Sequence, residues 1–219
     1  MSWVSSGREV GREGRLDWQM LLDYTTMNRF WNHVLAAPWL LLASLAPLLG
    51  QPSVADADQT DPRLPALFDR LQQTDNPAVA RLTEFMIWQI WGESGTGDLD
   101  RLMREGEEAM GAADFKTAKA RFDAVIAARP DFAEAWNKRA TMHYFAGDYQ
   151  ASLDDIEQVL ELEPRHFGAL SGLGLVNIAL SRDAAALDAF ERVLALYPTN
   201  LPAQQNLSIM RKRIQEGDI

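Results

Sequence analysis

The sequence predicts an all-α protein in which helical pairs stack into a solenoid, mainly because several positions repeat every 34 residues. Three prolines set this period (164 − 130 = 34; 198 − 164 = 34): Pro130, Pro164 and Pro198. Other positions recur at a fixed distance before each proline: Phe122, Ile156 and Phe190; Gly106, Ala140 and Gly174; Ala118, Ser152 and Ala186. A fixed period of this size is typical of stacked units that cannot bury their apolar faces alone.

The residue types at the repeated positions suit paired helices. Small residues are needed where two helices cross closely, and positions 106/118, 140/152 and 174/186 supply one small pair in each unit. Large apolar side chains such as Trp136 are expected between the units. Each proline ends a second helix, because proline cannot continue a helix interior.

The middle copy carries the fullest motif: Ala135-Trp136, Ala140, Gly147-Asp148-Tyr149 and Pro164. This motif resembles the tetratricopeptide repeat (TPR), a helix–turn–helix unit, and the resemblance extends over roughly residues 99–219. Arg139 and His143 depart from the pattern, since Leu and Tyr are commoner there. The resemblance implies a TPR right-handed α-solenoid of three repeats, with an N-terminal helical pair and a C-terminal capping helix.

The repeat register predicts the boundaries of the units. Residues 199–219 are expected to form the capping helix, with Leu207, Met210 and Ile214 on one side. Terminal units of a solenoid need a polar outer face for solubility. The three TPR units are expected within residues 99–198 and, in register, occupy residues 99–132, 133–166 and 167–200.

Residues 58–98 are predicted to form the N-terminal helical pair and a loop. Asp61-Pro62 and Asn76-Pro77 mark helix starts, because Asp and Asn cap helices and proline suits the first helical position. We expect this pair to cover the open end of the first repeat. The glycine-rich loop at residues 92–97 is interpreted as a flexible hinge.

The second helix of this pair is apolar on almost every side and contains Phe85, Trp88 and Trp91. A helix of this kind is usually buried on most of its faces. We therefore interpret the three aromatic residues as core. A small-ligand carrier that uses this aromatic cluster is an alternative.

Residues 1–57 are predicted to be a leader outside the fold. Residues 34–49 are uncharged and rich in Leu and Ala. Ala55-Asp56-Ala57 follows as a small-residue cleavage motif, and Ser53-Val54-Ala55 is a second option. Translation from Met27 would give a signal peptide of ordinary form. The chain then resembles an exported bacterial TPR protein, and we expect a periplasmic or secreted location. The alternative is an uncleaved segment that anchors the protein in the inner membrane, facing the periplasm.

Composition and charge disfavour several classes of function. A formal net charge of −10 argues against a nucleic-acid partner, which requires clustered Lys and Arg. The chain has no cysteine, so thiol catalysis and cysteine-bound zinc are excluded. His33, His143 and His166 do not stand at a metal-ligand spacing. We expect no metal, no cofactor and no enzymatic activity.

Acidic pairs on the second helices are the remaining candidates for acid–base chemistry. Asp154/Asp155 and Glu161/Glu163 lie on helices that the TPR resemblance turns outward. Catalytic carboxylates must be held in a cleft with displaced pKa values. We interpret these pairs as solvated surface.

The TPR resemblance also implies a concave groove built from the first helices. A largely apolar groove with a few polar groups suits an extended or helical peptide. The predicted partner-binding residues are Met103, Glu107, Met110, Asn137, Thr141, Tyr144, Phe145, Ser171, Leu175, Ile178, Gln205 and Ile209.

One TPR subtype, the co-chaperone type, grips a carboxyl-terminal carboxylate with cationic and amide side chains at set groove positions. Here those positions hold Met103, Glu107, Lys138, Gly168 and Gly172. A single cation does not make a clamp, and Glu107 would repel the ligand. Binding of Hsp70 or Hsp90 tails is therefore disfavoured.

The sequence thus predicts a protein–protein interaction scaffold, adaptor or chaperone-like holder in the bacterial envelope. Its partner is expected to be a protein or peptide bound in the concave groove. Contact with a membrane is expected only if the leader is uncleaved. In that case the alternative function is an inner-membrane-anchored subunit of a larger complex.

Overall fold

Helices account for most of residues 58–217, which are the residues that this computed structural model describes, and no strand occurs among them. The all-α prediction is therefore confirmed. The helices are α1 (Leu64–Gln73), α2 (Pro77–Trp91), α3 (Gly97–Gly111), α4 (Phe115–Ala128), α5 (Ala133–Ala146), α6 (Tyr149–Leu162), α7 (Phe167–Ala179), α8 (Asp183–Leu196) and α9 (Leu201–Gly217).

The repeat helices pack as antiparallel neighbours in chain order. The first repeat comprises α3 and α4, the second α5 and α6, and the third α7 and α8, while α9 packs against α8. The first helices of successive repeats also contact each other, α3 with α5 and α5 with α7. We call the surface that α3, α5 and α7 form the first-helix wall.

Side-chain caps begin several of these helices. The Asn76 side chain accepts a hydrogen bond from the Ala78 N–H at 2.9 Å, and Pro77 occupies the first turn of α2, as the sequence predicts. Asp114 and Asp148 cap α4 and α6 in the same way. Near α1, Asp61 accepts a bond from the Arg63 N–H at 2.8 Å, and the helix begins later than expected, at Leu64.

The small residues at the helix crossings are buried against large partners. A Cβ built on Gly106 would lie 2.5 Å from the Phe122 ring, and one on Gly174 would lie 2.5 Å from the Phe190 ring. Where the middle repeat has Ala140, the corresponding partner is the smaller Ile156. Glycine therefore occurs where phenylalanine fills the crossing.

This pairing predicts a strong coupling between positions 174 and 190. Gly174→Ala is expected to lower the free energy of unfolding by about 1–3 kcal/mol, because the new methyl group overpacks the crossing. Combined with Phe190→Ile, it should cost less than the sum of the two single changes, since the pair then matches the middle repeat. Urea denaturation of the four proteins measures this coupling. Gly172→Ala is the control, because its Cβ would lie 3.5 Å from Ile156, an ordinary contact. Additive effects would contradict the coupling.

Each turn inside a repeat requires one residue in the left-handed region. Gly147 has φ 79°, and the corresponding residues Ala113 and Ser181 have φ 59° and 56°. The next N–H bonds back to the first helix in every case, for example Asp148 N to His143 O at 2.9 Å. Glycine is the natural residue for this conformation, yet only the middle repeat has it.

Ser181→Gly is therefore expected to raise the free energy of unfolding by about 0.5–1 kcal/mol, because glycine removes the left-handed strain. Gly147→Ala is the reciprocal control and should lower it by a similar amount. A Cβ on Gly147 would meet no atom within 4 Å, so its effect is conformational. Thermal and urea melts check both changes, and a neutral or destabilising Ser181→Gly would refute the expectation.

The interpretation of the second-helix carboxylates as solvated surface is wrong for two of them. Asp155 is 4% exposed and accepts two bonds from the Arg139 guanidinium, at 2.9 and 2.7 Å. Glu163 is 2% exposed and binds Arg165. Arg139 also bonds to Asp123 on α4, so its departure from the repeat consensus links two repeats. Asp155 therefore joins α6 to α5, whereas the Glu163 contact with Arg165 is local to one turn.

The N-terminal hairpin, α1 and α2, packs on the third repeat and not on the open end of the first. Phe68, Ile87 and Trp91 share one core cluster with Phe167 and Phe190. The reason lies in the composition of the first helices. The α7 helix carries no charged residue, whereas α3 is rich in Asp, Glu and Arg, so only α7 offers an apolar surface to the apolar α2.

The segment from residue 58 to the end of α1 also contacts residues at the turns between the repeats. Asp58 binds Arg129 at 2.6 Å beside the turn before α5. Further along, the Arg165 guanidinium lies 4.4 Å from the centre of the Phe68 ring, and the Gln72 side chain donates to Ala195 O at 2.9 Å. A single segment thus contacts all three repeats, whereas solenoid repeats ordinarily contact only their neighbours.

The predicted flexible hinge at residues 92–97 is fixed by hydrogen bonds. Ser94 is 1% exposed, its N–H donates to Asp100 Oδ1 at 2.9 Å, and its carbonyl accepts from Arg129 at 2.7 Å. The hinge interpretation is therefore wrong. The predicted leader, residues 1–57, lies outside the described residues. Between residues 58 and 217, none of the helices combines the length and the apolar character needed to cross a membrane.

Candidate functional site

Three of the predicted groove residues are interior residues. Met103, Asn137 and Ile178 are 5%, 7% and 8% exposed, so a partner could contact little of them. Seven others are partly exposed: Glu107, Met110, Thr141, Tyr144, Phe145, Ser171 and Leu175. The last two, Gln205 and Ile209, are exposed on α9. A binding role for these nine residues stays a prediction.

Aromatic side chains cluster at the C-terminal end of α5. The ring centroids of Tyr144 and Phe145 are 5.8 Å apart, and those of Tyr144 and Tyr149 are also 5.8 Å apart. Burial raises the pKa of the Tyr144 hydroxyl. The cluster is half-buried, so it presents rigid apolar surface while remaining accessible at the first-helix wall.

The lysine of the wall is paired with carboxylates of the chain. Lys138 Nζ lies 2.8 Å from Glu107 Oε1 and 3.2 Å from Glu134 Oε1. The cation that a carboxylate ligand would need is therefore already paired with two carboxylates of the chain. This arrangement supports the prediction that an acidic peptide terminus is not the ligand.

Glu134 is a buried carboxylate at the start of α5, and it is 3% exposed. Burial acts to raise its pKa, but Lys138 and the hydrogen bonds from His166 and Asn137 outweigh that effect, so the pKa of Glu134 lies below its usual value. The group is thus held as an anion in the interior. A buried charge of this kind requires its partners to stay in place.

His166 joins three parts of the structure. Its Nδ1 accepts from the Ala169 N–H at 3.1 Å, which caps α7. Because Nδ1 is an acceptor, Nε2 carries the proton and donates to Glu134 Oε2 at 3.1 Å. Its ring also stacks on Trp91, with centroids 4.0 Å apart and planes at 9°. The second repeat, the third repeat and the hairpin therefore meet at one imidazole.

The hairpin covers the wall where α7 begins. A Cβ on Gly168 would lie 2.5 Å from the Trp88 ring, so only glycine permits this approach. Trp88 also packs edge-on against Trp91 and Phe167, with centroid distances of 5.3 Å in both pairs. The core interpretation of Trp88 and Trp91 is thus supported by their contacts, whereas Phe85 is 38% exposed.

A second polar contact attaches the hairpin to the residue that follows α8. Tyr197 donates its hydroxyl to Glu84 Oε2 at 3.0 Å. Burial raises the pKa of Glu84, although the hydrogen bonds from Tyr197 and Trp88 oppose this. Burial and the neighbouring Glu84 carboxylate raise the pKa of Tyr197. The contact ties α2 to the turn that follows α8.

The sequence analysis missed the roles of Glu134, His166 and Trp88. One signal was present, since the third repeat has Gly168 where the second has Glu134 (134 + 34 = 168). A glycine at a repeated position leaves room for a side chain from elsewhere in the chain. Among residues 58–217, no three His, Cys, Asp or Glu side chains are grouped so as to hold a metal ion.

Comparison with known proteins agrees with this geometry, which is that of a helical-repeat protein. A sequence profile of the tetratricopeptide repeat matches residues 103–149 and 138–200. A TPR repeat-containing protein of Rhizobium etli is 36% identical over 152 residues, which cover 69% of this chain and 74% of the relative. The chain therefore belongs to the tetratricopeptide repeat family.

Less similar proteins match smaller parts of this chain. The small glutamine-rich tetratricopeptide repeat-containing protein 2 of Mycosarcoma maydis is 24% identical over 118 residues, 54% of this chain but only 34% of that protein. Among solved structures, the first TPR of Spaghetti (RPAP3), bound to the HSP90 peptide SRMEEVD, aligns with a TM-score of 0.52 at 20% identity. The match covers 53% of this chain and 93% of that one, and it shows the shared TPR fold.

Proposed function

We propose that this protein is a protein-interaction adaptor or chaperone-like holder of the bacterial envelope, and that its first-helix wall binds a peptide or helix of a partner protein. The aromatic cluster of Tyr144 and Phe145 carries the proposal, because it is half-buried, apolar and outside the contacts that the hairpin makes with α7. Rigid aromatic side chains are the residues on which interfaces most often depend.

The peptide-bound Spaghetti structure supports a peptide ligand in general but not the same ligand. Its peptide has three acidic residues and ends in one of them, whereas the only lysine of the wall at the clamp positions is paired with Glu107 and Glu134. Gly168, another clamp position, is covered by Trp88. The wall therefore suits a peptide with apolar anchors rather than an acidic terminus.

The envelope location rests on the leader sequence at residues 34–57. If the leader is cleaved, mass spectrometry of the protein from cells should find a mature N-terminus near Asp56 or Asp58. An intact Met1 would argue against cleavage and favour the anchored alternative. This measurement is independent of whether the wall binds a partner.

Photo-crosslinking tests the wall directly. A photoreactive phenylalanine analogue at Phe145 keeps an aromatic ring in the cluster, and the same analogue at Gln158 on α6 is the matched control. We expect one dominant protein adduct from position 145 and none from position 158. Thr141→Arg, which places a long charged side chain on the wall, should abolish that adduct without affecting the fold. Equal adducts from both positions, or none from 145, would refute the proposal.

A further inference from the structure

We propose that a groove between α6 and α7 binds an arginine side chain of a partner protein, held by Glu157. This inference goes beyond the proposed function, because the groove is lined mainly by the second helix α6 and includes none of the predicted residues of the first-helix wall. Gln158 lies on the opposite side of α6 from Leu160, a groove residue, since two residues correspond to about 200° of helix. It therefore remains a control position for the wall.

The groove is open and shallow, with a volume of about 410 Å³. Its lining residues are Leu153, Ile156, Glu157, Leu160, Glu161 and Leu173. Ile156 is buried, the three leucines are partly exposed and both glutamates are exposed. The two glutamates lie one turn apart on α6, so their side chains are neighbours. An apolar floor with carboxylates at its edge suits a ligand that is both aliphatic and cationic.

The junction of the first and second repeats has a carboxylate at the equivalent position. Asp123 of α4 corresponds to Glu157 of α6 (123 + 34 = 157). Two cations bind it: Lys119 Nζ lies 2.7 Å from Asp123 Oδ2, and Arg139 Nη1 lies 2.6 Å from Asp123 Oδ1. Arg139 belongs to α5, the first helix of the following repeat. At this junction the chain itself therefore places a guanidinium against the acid.

At the junction of the second and third repeats, both cations are replaced by leucine. Leu153 corresponds to Lys119 (119 + 34 = 153), and Leu173 corresponds to Arg139 (139 + 34 = 173). The acid is kept, yet no ion pair joins Glu157 to any of residues 58–217. These replacements leave a carboxylate without its cation beside a space lined by leucine, which an arginine from a partner can occupy.

The third repeat keeps the acid and supplies a cation again. Glu191 of α8 corresponds to Glu157 (157 + 34 = 191), and Arg211 Nη2 of α9 lies 3.0 Å from Glu191 Oε1. Within the part of the chain that the structure describes, Asp123 and Glu191 are thus paired and Glu157 is not. A cationic partner complements the one acid of the series that the described residues leave unpaired.

Glu161 makes the second junction more acidic than the other two. The corresponding residues of the first and third repeats are alanine, at positions 127 and 195. A guanidinium has several N–H donors in a planar fork, so it can bond to Glu157 and Glu161 together while its methylene stem packs on the leucines. Arginine therefore fits this groove better than lysine, whose charge is a compact ammonium group.

Binding of a short peptide to the full chain tests this proposal. The probe is acetyl-Leu-Arg-Leu-amide, and its control is the same peptide with citrulline, which keeps the shape of arginine without its charge. In ¹H–¹⁵N NMR titrations we expect the arginine peptide to shift the amide signals of Leu160 and Leu173, and to bind about three- to tenfold more tightly than the control. Equal affinities, or shifts confined to other surfaces, would overturn the proposal.

Variants of the protein separate this site from its general negative charge. Glu157→Gln should weaken binding of the arginine peptide by about three- to tenfold. Glu108→Gln is the matched control, because it removes the same charge from an exposed position on α3, and it should leave binding unchanged. Leu153→Lys restores the cation of the first repeat and should also weaken binding, because its ammonium group competes for Glu157. Equal effects of the two glutamine variants, or none from Leu153→Lys, would refute the proposal.

Discussion

Replacing Trp91 by alanine is expected to lower the free energy of unfolding by about 3–5 kcal/mol, the usual cost of emptying a large aromatic site in a core. Trp91 is 1% exposed and contacts Phe68, Trp88, His166 and Phe167. It lies outside the repeats, yet it holds the hairpin to the third repeat. Trp91→Ala should therefore destabilise the solenoid as a whole.

Urea denaturation followed by circular dichroism measures this effect. Met86→Ala is the matched control on the same helix, and its cost should stay within about 0.5 kcal/mol because the side chain is largely exposed. The wild type should unfold in a single transition, since the segment from Asp58 to Trp91 contacts all three repeats. A Trp91→Ala effect no larger than that of the control would show that the hairpin is not part of the core.

Glu134→Ala is expected to cost about 3 kcal/mol or more, because removing one member of a buried ionic network takes a hydrogen-bond or ion-pair partner from each of its neighbours. His166 Nε2 would lose its acceptor, and Lys138 would lose its ion pair with Glu134. The change would also loosen the contact between the second and third repeats. The urea midpoint at neutral pH measures this loss of stability. An unchanged midpoint would mean that the network does not contribute to stability.

The Glu134 carboxyl also makes the stability of the protein depend on pH. The pKa of Glu134 in the folded protein lies below its ordinary value of 4.5. Its contribution is therefore complete above that value and is lost as the pH falls through the folded pKa. Glu134→Gln keeps an acceptor for His166 but cannot titrate. Between pH 6 and pH 3 the wild type should lose more stability than this variant, and parallel curves would contradict the assignment.

Glu84 has the opposite effect on how stability depends on pH. Because its pKa is raised in the folded protein, its contribution to stability is present at low pH and is lost as the pH rises through the folded pKa. Glu84→Gln should therefore remove a destabilising contribution at neutral pH while keeping a partner for Tyr197. The effect of Glu134 is best measured as the difference between the wild type and the Glu134→Gln variant, because Glu84 is present in both proteins.

The repeats could be predicted from the amino-acid sequence alone. Positions that recur every 34 residues predict small residues at the helix crossings, and Gly106 and Gly174 are buried there. That Phe122 and Phe190 fill these crossings is seen only in the structure. The caps at Asn76, Asp114 and Asp148 were also available from local residue types. These features are short-range or periodic, so each can be inferred from a few neighbouring positions.

The position of the N-terminal hairpin could not be predicted in this way, because it depends on long-range packing. Its contacts join residues 58–91 to residues 129–197, and no periodic signal specifies a contact of that separation. The same packing buries Glu134 and His166 and covers Gly168, which the linear pattern treats as ordinary repeat positions. The repeat fixes which helices are neighbours, but the burial of an apolar segment from outside the repeat depends on which first helix lacks charge, and here that helix is α7.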